Sequence, residues 1–318
     1  PESLLEETHS GPVQGEIIKT LWKSKECAAF KGIPFAAPPV GTLRFKPPVE
    51  PKPWKAVRAA VDEGNICIQD GDGPNNTSGS EDCLYINVFT PHKPVMVWIY
   101  GGAFSGGYSN SSVYGPDFFL EDDVVFVSFN YRLGAFGFLS ANHPDALGNS
   151  GLKDQAFALK WVQKNIANFG GDPHKVTIFG ESAGGASVEY HMLSEMSKGL
   201  FHRAISMSGT PVCPWSHENP TIATKVAFDL AKELGHEAKD KDDLVRFLLT
   251  VPADDIIKAT DAIVEVGLFK TCRGTAHGDD VGYLFNVKML DTPTSLDHPF
   301  NQFRQRFVKL WTNFAKYG

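Results

Sequence analysis

The stretch that most constrains this chain runs from Val176 to Gly185, where strand-forming residues lead into a Gly-x-Ser-x-Gly turn centred on Ser182. Glycines 180 and 184 flank the serine because a chain that reverses sharply between a strand and a helix leaves no room there for side chains. The residues that follow favour a helix, whose N-terminus would stabilise negative charge near the serine. The pattern predicts a nucleophile elbow that exposes Ser182, and the alternative is an ordinary tight turn.

Length and composition indicate a globular chain with a large core. With 318 residues and 42% apolar content, the chain can form one large α/β domain or two smaller ones. A formal charge of -7 argues against nucleic acid or an anionic membrane as a partner. No apolar run approaches the roughly 18 residues that cross a bilayer, and Pro1-Glu2-Ser3 shows no signal-peptide pattern. We therefore expect a soluble protein without a membrane span.

The cysteines and the glycosylation triplets bear on the compartment. Five cysteines, at positions 27, 67, 83, 213 and 272, are too few for a disulfide-built scaffold and fit no metal-ligand spacing, so we expect no metal site. Whether Cys213 and Cys272 are free stays open. Three Asn-x-Ser/Thr triplets make Asn75, Asn76 and Asn110 candidate glycosylation sites, which favours a secreted protein over a cytoplasmic one.

Hydrophobic patterning predicts a sheet covered by helices. Residues 84–89 form a predicted strand, and the continuous apolar runs 95–100 and 124–131 are typical of buried central strands in a parallel sheet. Apolar residues recur at helical spacing between 151 and 169, where Ser150 can cap the helix and Gly170-Gly171 can end it. This strand-helix-strand order predicts an α/β fold.

The remaining segments are predicted more simply. The proline-rich residues 30–48 read as an extended surface segment, and residues 202–209 as another buried strand. Helices are predicted from Asn219 to Gly235, over 242–249 and over 252–263. A last helix should bury one face in the core; that face carries Phe300, Phe303, Phe307, Leu310 and Phe314.

A serine nucleophile needs donors for the oxyanion and a base within hydrogen-bond reach. The glycine-rich turn that follows the 95–100 strand lets backbone N–H groups approach a substrate oxygen, so the predicted oxyanion hole consists of the amides of Gly102, Ala103 and Ala183. Among ten histidines, His277 lies between small residues and follows the serine in the chain. His191 and His202 stay open as alternative bases.

Three separate motifs resemble the type-B carboxylesterase and cholinesterase family, and within it the insect-type carboxylesterases. They are Glu81-Asp82-Cys83-Leu84-Tyr85-Ile86-Asn87-Val88, the stretch from Phe169-Gly170-Gly171-Asp172-Pro173 through Val176 to Gly180-Glu181-Ser182-Ala183-Gly184, and Gly274-Thr275-Ala276-His277-Gly278-Asp279-Asp280. The resemblance covers essentially the whole chain. It implies a single α/β-hydrolase domain with a mostly parallel central sheet, Ser182 as nucleophile and His277 as base, and no cofactor.

The resemblance also implies several supporting residues. These are a Cys67–Cys83 disulfide, ion pairs between Arg44 and Glu81 and between Arg132 and Asp154, and Trp215 as part of the acyl pocket. The chain departs from the family at Ala103, where a third glycine is usual, and the added methyl narrows the acyl side. The glutamate of the triad has no clear counterpart, and Glu265, with an extra residue before its glycine, is only a weak candidate.

The resemblance implies a serine esterase that acts on uncharged carboxylic esters, a role in xenobiotic or insecticide detoxification, and organophosphates as covalent inhibitors. A slow-turnover protein that sequesters esters is one alternative, and a cholinesterase-like adhesion protein is another. The natural ester and the oligomeric state are left open by the sequence. The Cys67–Cys83 loop contains no aromatic residue to hold a quaternary ammonium, so a cholinesterase is not expected.

Spacing indicates that the chain is not one continuous native segment. Only 95 positions (277 minus 182) separate the serine from His277, and residues 210 to 263 supply helices where the fold needs strands. Family members are longer here. We therefore predict that a large segment is absent between about Ile263 and Arg273, and a smaller one near His92 to Pro94.

Overall fold

A computed structural model describes residues 4–72, 76–91, 93–263, 277–278, 280–288, 292–293 and 295–318. Its strands, in chain order, are β1 Leu5–Thr8, β2 Gly11–Gln14, β3 Glu16–Lys19, β4 Glu26–Pro34, β5 Arg58–Ala59, β6 Gln69–Asp70, β7 Thr77–Ser78, β8 Tyr85–Thr90, β9 Lys93–Ile99, β10 Val125–Phe129, β11 Ser140–His143, β12 Ala146–Leu147, β13 Gly171–Glu181 and β14 Arg203–Met207.

The helices connect and cover these strands. They are α1 Asp117–Glu121, α2 Gly134–Phe138, α3 Ser150–Asn165, α4 Ala183–Leu193, α5 Pro220–Glu233, α6 Lys241–Thr250, α7 Ala253–Ile263, α8 Val281–Leu284 and α9 Pro299–Tyr317. Short 3₁₀ turns lie at Gly41–Leu43 and Glu195–Ser197. None of the helices within the described ranges is long and apolar enough to span a bilayer.

A seven-stranded sheet in the order β14-β13-β9-β10-β8-β4-β3 forms the centre of the structure. The pairs β14–β13, β13–β9 and β9–β10 are parallel, whereas β10–β8, β8–β4 and β4–β3 are antiparallel. The sheet is therefore mixed, and the prediction of a mostly parallel sheet holds only for its β14–β10 half. The carboxyl ends of β9, β10 and β13 meet at one edge, which is where ligand sites form in such sheets.

The buried central strands are confirmed. Residues 95–99 in β9 and all of β10 are inaccessible to solvent, because the adjoining helices cover both faces of this part of the sheet. Strand β8 begins one residue later than the predicted 84–89 strand. An aromatic cluster fills the space beside these strands, in which Phe179 and Phe285 each make ring contacts with Trp98, Phe119 and Phe126.

Two predicted environments are wrong. The 30–48 segment is extended but not superficial, because Phe30 and Ile33 lie in β4, inside the sheet, and Phe35 and Phe45 are also buried. Strand β14 is the opposite case: it is predicted to be buried, yet it lies at the edge of the sheet and only Met207 is buried. In both cases the strand order decides exposure, and local composition does not report it.

Helix α3 is confirmed, with different ends. Ser150 is its first residue and does not cap it; Asn149 precedes the helix in a left-handed conformation, and the Ser150 hydroxyl instead donates to the Phe45 carbonyl oxygen at 2.8 Å. The helix ends at Asn165, earlier than the Gly170-Gly171 stop. Helix α5 begins as predicted, since the Asn219 side chain accepts from the Thr221 amide.

The predicted core face of α9 is wrong. Its fully buried residues are Asn301, Arg304, Val308, Thr312 and Ala315, one face of the helix. The aromatic stripe lies to one side of that face, and Phe303 and Leu310 are 50% and 63% exposed. The packing around Arg304 explains the rotation: its guanidinium lies 4.5 Å from the centre of the Phe118 ring and donates to the Gly282 carbonyl oxygen.

Helices α5, α6 and α7 form a second hydrophobic cluster with α2, built around residues such as Leu230, Leu244 and Ile256. The positions where segments are predicted to be absent lie largely outside the described residues, which do not include 264–273 or His92. That prediction, and the single-domain boundaries 1–318, stay predictions.

Thr177, within β13, generates a stability prediction. Its hydroxyl is buried and has no hydrogen-bond partner among the described residues. An unbonded buried hydroxyl costs about 1 to 3 kcal/mol, so Thr177→Val, which keeps the shape, should stabilise the protein by about 1 kcal/mol. Thr90→Val is the matched control, because it removes a bond to the Phe169 carbonyl oxygen and should destabilise by a similar amount. Urea unfolding of both variants measures this, and a destabilised Thr177→Val contradicts it.

Candidate active site

Ser182 occupies the turn between β13 and α4 in a conformation that non-glycine residues rarely adopt, with φ 58° and ψ −119°. Close backbone contacts surround it. A Cβ atom on Gly184 would lie 2.0 Å from the Ile99 carbonyl oxygen, and one on Gly209 would lie 1.9 Å from the Ser182 carbonyl oxygen. Both positions therefore require glycine, and the sharp turn predicted from Gly180 and Gly184 is present.

His277 meets Ser182 across 95 residues of sequence. Its Nε2 lies 2.7 Å from the Ser182 Oγ, within range of a short hydrogen bond. The imidazole is 44% exposed, so it faces the solvent-accessible side of the elbow. The structure therefore brings the predicted nucleophile and the predicted base together.

The other two histidines lie in surroundings that exclude them from the site. His191 is buried in α4, where Nδ1 contacts the Ser197 Oγ and Nε2 contacts the Gln155 Oε1, and burial lowers its pKa to about 4. His202 precedes β14, and its Nδ1 accepts from the Val176 amide. Strand β14 runs parallel to β13, so His202 lies at the end of the sheet opposite Ser182.

Glu181 is a residue of the site that sequence reasoning missed. Its Oε1 lies 3.1 Å from the His277 Nε2 and its side chain is only 12% exposed. The distance is that of an ion pair, yet Oε1 makes no aligned hydrogen bond with any described residue, because the single in-plane direction of Nε2 points at the Ser182 Oγ. The contact is therefore a close electrostatic one. The available signal was its position beside the serine in the Gly-x-Ser-x-Gly pattern.

The environment of Glu181 disfavours its charged form. Burial, and secondarily the negative charge of Asp280, raise the pKa of the Glu181 carboxyl from 4.5 to about 7. The carboxyl occupies a slot left by two glycines: a Cβ atom on Gly101 would lie 3.0 Å from its Oε2, and one on Gly278 would lie 3.6 Å from its Oε1. A titrating carboxyl thus lies directly beside the Ser182–His277 pair.

The predicted oxyanion loop follows β9 and passes beside the serine. A Cβ atom on Gly101 would lie 2.8 Å from the Ser182 Cβ. Gly102, Ala103 and Phe104 all have positive φ values, of 111°, 53° and 59°, and Gly102 and Ala103 are exposed. Ala183, the third predicted donor, is the buried first residue of α4. Ala103 and Phe104 are therefore consecutive residues in the left-handed region.

Aromatic side chains stand beside this loop. The Phe104 ring lies 4.9 Å from the Phe138 ring and 6.4 Å from the ring of Trp215, which is 45% exposed. Trp215 therefore lies near the predicted oxyanion loop, as an acyl-pocket residue would.

The disulfide and both predicted ion pairs are present. Cys67 and Cys83 are bonded, while Cys27 and Cys213 are free thiols; Cys272 lies outside the described residues. Arg44 binds the Glu81 carboxylate through two bonds of 2.7 and 2.6 Å. Arg132 binds Asp154 through two bonds of 2.7 Å, in full burial.

The glycosylation candidates and the weak triad-acid candidate differ in exposure, and two of them lie outside the described residues. Asn76 is exposed, whereas Asn110 is half-buried with its Oδ1 enclosed by protein. Asn75 and Glu265 are outside the described part of the chain, so their predicted roles stay predictions. Among the described residues there is no group of three or more His, Cys, Asp or Glu side chains arranged to hold a metal.

Comparison with known proteins places this geometry in context. The profile of the carboxylesterase family matches residues 2–272. Venom carboxylesterase-6 of Apis mellifera is 45% identical over 250 residues, which are 74% of this chain and 43% of the relative. Juvenile hormone esterase of Tribolium castaneum is 42% identical over 82% of this chain and 46% of the relative. Acetylcholinesterase of Gallus gallus is also 42% identical, over 81% of this chain and 36% of the relative. The chain spans about half the length of such relatives, or less.

Glu181 leads to a pH-dependent stability prediction. A carboxyl whose folded pKa is raised contributes stability that is present below its unfolded pKa and is lost as pH rises through the folded value, here from about 4.5 to about 7. Glu181→Gln has no carboxyl to ionise, so its free energy of unfolding should not fall in this way. Relative to the wild type, the free energy of unfolding of the variant should rise by up to about 3 kcal/mol between pH 4 and pH 8.

The measurement is urea unfolding of the wild type and Glu181→Gln at both pH values. Glu237→Gln, at an exposed position, serves as the control and should show no such change. A stability difference between Glu181→Gln and the wild type that is the same at both pH values is incompatible with a raised pKa.

Proposed function

Because the chain belongs to the carboxylesterase family, we propose that it is a serine esterase that hydrolyses uncharged carboxylic esters through an acyl-Ser182 intermediate. The observation that carries the proposal is the 2.7 Å contact between the His277 Nε2 and the Oγ of a serine on a strained strand-to-helix turn. Strained backbone conformations cluster at functional sites, and Ser182 is only partly buried.

In acylation, the Ser182 Oγ attacks the ester carbonyl carbon while His277 Nε2 takes the hydroxyl proton. The tetrahedral intermediate collapses when the bond to the alkoxy oxygen breaks, and His277 returns the proton to the leaving alcohol. In deacylation a water molecule gives a proton to His277 Nε2 as its oxygen attacks the acyl carbon. The bond from the acyl carbon to the Ser182 Oγ then breaks, the carboxylic acid leaves, and His277 returns the proton to Oγ. The chemistry requires no cofactor.

The oxyanion of each tetrahedral intermediate is assigned to the amides of Gly102, Ala103 and Ala183. Removing one such donor from an esterase or protease costs about 100-fold to 1000-fold in rate, so this hole would be the largest single contribution. The N-terminus of α4, which begins at Ala183, would also stabilise the oxyanion through the positive end of the helix dipole. The Ala103 methyl would narrow the acyl side beside Phe104.

Glu181 would stabilise the imidazolium that His277 becomes during each step. Its carboxylate oxygen lies 3.1 Å from Nε2, the atom that accepts the serine proton. Glu265 stays the weak candidate for the acid that orients the imidazole, and we assign no step to it.

The substrate side is proposed from the aromatic residues near the loop. Trp215 and Phe104 offer an apolar surface to the acyl group, which suits neutral esters. Organophosphates would be covalent inhibitors, because an activated serine attacks phosphorus as it attacks a carbonyl carbon. Detoxification of xenobiotic or insecticidal esters is the physiological role that we propose, because the resemblance to the insect-type carboxylesterases implies it.

Two other functions compete with this one. A protein that acylates once and turns over slowly would sequester toxic esters with the same residues. An adhesion protein of the cholinesterase type would need none of them, and the Ser182–His277 contact argues against it.

The nucleophile is tested by covalent labelling. We expect the wild type to take up one equivalent of an organophosphate and Ser182→Ala to take up none, by intact mass spectrometry, because only an activated serine displaces the leaving group. Ser295→Ala, which changes an exposed hydroxyl just before α9, is the control and should label fully.

If Ser182→Ala still takes up one equivalent, the nucleophile lies elsewhere. Steady-state turnover of a chromogenic ester, compared with its burst amplitude, separates an esterase from a sequestering protein: a full burst with negligible turnover favours sequestration.

Charge selectivity tests the substrate class. Without an aromatic ring in the Cys67–Cys83 loop, a choline ester lacks a cation–π contact of roughly 2 kcal/mol, or about 30-fold in affinity. We expect kcat/KM for butyrylcholine to be no higher than for its uncharged 3,3-dimethylbutyl analogue. A clear preference for the charged ester would overturn the assignment to neutral esters.

A further inference from the structure

Gln69 is a buried side chain that joins two segments 38 residues apart. Its Nε2 donates to the Gly107 carbonyl oxygen at 2.9 Å, and its Oε1 accepts from the Gly107 amide at 2.7 Å. The amide group therefore pairs with both backbone groups of one glycine, as a neighbouring strand would. This pairing fixes the position and orientation of Gly107.

Gly107 in turn lies against the start of the oxyanion loop. It has φ 113°, and a Cβ atom on it would lie 2.7 Å from the Gly101 carbonyl oxygen and 2.7 Å from the Tyr100 ring. A Cβ atom on Gly102 would lie only 2.2 Å from the Gly106 carbonyl oxygen. The two ends of the loop are thus in backbone contact, and a shift at Gly107 moves Gly101 and Gly102.

The loop orients one specific peptide unit. The Gly102 carbonyl oxygen accepts from the amides of Ser105 and Gly106, both at 3.0 Å. That carbonyl and the Ala103 N–H belong to the same planar trans peptide and point in opposite directions. Holding the carbonyl inside the loop therefore turns the Ala103 N–H outward, and Gly106 is the residue directly before the one that Gln69 holds.

Gln69 is itself tied to the disulfide. Its Nε2 also donates to the Cys67 carbonyl oxygen at 2.9 Å, and Cys67 is bonded to Cys83. The chain of contacts therefore runs from the disulfide through the Gln69 amide to Gly107 and the Gly102–Ala103 peptide.

We infer that Gln69 is a positioning residue that orients the Gly102–Ala103 oxyanion amides for the transition state. The inference rests on the proposed function, because it takes these amides as the oxyanion donors. It goes beyond that proposal by extending the machinery to a residue on the disulfide-bonded segment that touches neither substrate nor Ser182.

The test is Gln69→Met, which keeps the length and apolar volume but removes all three hydrogen bonds. We expect kcat for a neutral ester to fall about 30-fold with KM within about 3-fold, because the lost orientation matters chiefly where the oxyanion forms. The affinity for a trifluoromethyl ketone, which mimics the tetrahedral intermediate, should fall by a factor similar to kcat.

Gln163→Met is the matched control. Gln163 also bridges two backbone carbonyls, those of Pro173 and Leu200, both at 2.9 Å and away from the site. Its substitution should lower Tm to a similar extent and leave kcat and ketone affinity unchanged. Equal effects of the two variants on kcat would overturn the inference, as would an unchanged kcat in Gln69→Met.

Gln69→Glu adds a pH signature that a structural role would not produce. The ionised carboxylate cannot donate and repels the Gly107 carbonyl oxygen, whereas the protonated form has one donor and one acceptor in the positions of the amide. The ratio of variant to wild-type kcat should therefore rise as pH falls from 8 to 5. A ratio that does not change with pH contradicts the inference.

A loop readout separates this inference from the proposed function. Hydrogen–deuterium exchange of the peptide that covers residues 101–107 should be faster in Gln69→Met than in the wild type and Gln163→Met. If the wild type lacks esterase activity but this exchange difference is present, the proposed function fails while the positioning contact stands. If activity is present and the exchange is unchanged, the positioning inference fails alone.

Discussion

The candidate site depends on the strained backbone of Ser182. A residue with φ 58° and ψ −119° costs about 1 to 3 kcal/mol and persists only where its surroundings hold it. Here the Ser182 amide donates to the Met207 carbonyl oxygen, and the Gly184 and Gly209 backbones leave no space for side chains. The strain directs Oγ toward His277, so the strands on both sides of the elbow contribute to positioning a single oxygen atom.

The candidate site also requires that distant segments meet at one edge of the sheet, and the strand order brings them there. Parallel pairing of β9 with β13 puts the proposed oxyanion loop beside the elbow. Ion pairs hold the adjoining connections: Arg44 contacts Glu81 near the disulfide and the carbonyl oxygens of Leu248 and Val251. Arg132, paired with Asp154, donates to the Arg44 carbonyl oxygen. Breaking one partner of such a buried pair leaves an uncompensated charge, so these arginines secure the geometry around the site.

Patterns that report local geometry predicted much of this structure, and patterns that depend on distant partners did not. The runs 95–100 and 124–131 are apolar throughout, which indicates burial on both faces, and Gly-x-Ser-x-Gly specifies a turn. Exposure of β14 depends on strand order, and rotation of α9 depends on the buried Arg304, so neither could be derived from spacing.

Glu181 could not be assigned from the sequence, because the motif leaves its position unspecified, and its environment links stability to chemistry. Burial raises the pKa of the Glu181 carboxyl to about 7, so the carboxyl is neutral below about pH 7. The neutral form is the one whose burial costs the folded state the least free energy. On the proposed mechanism the ionised form is the useful one, because it lies 3.1 Å from the nitrogen that becomes positively charged. As pH rises through this range, the same deprotonation removes stability from the folded state and adds attraction to the imidazolium. Stability and transition-state stabilisation should therefore change in opposite directions at this one carboxyl.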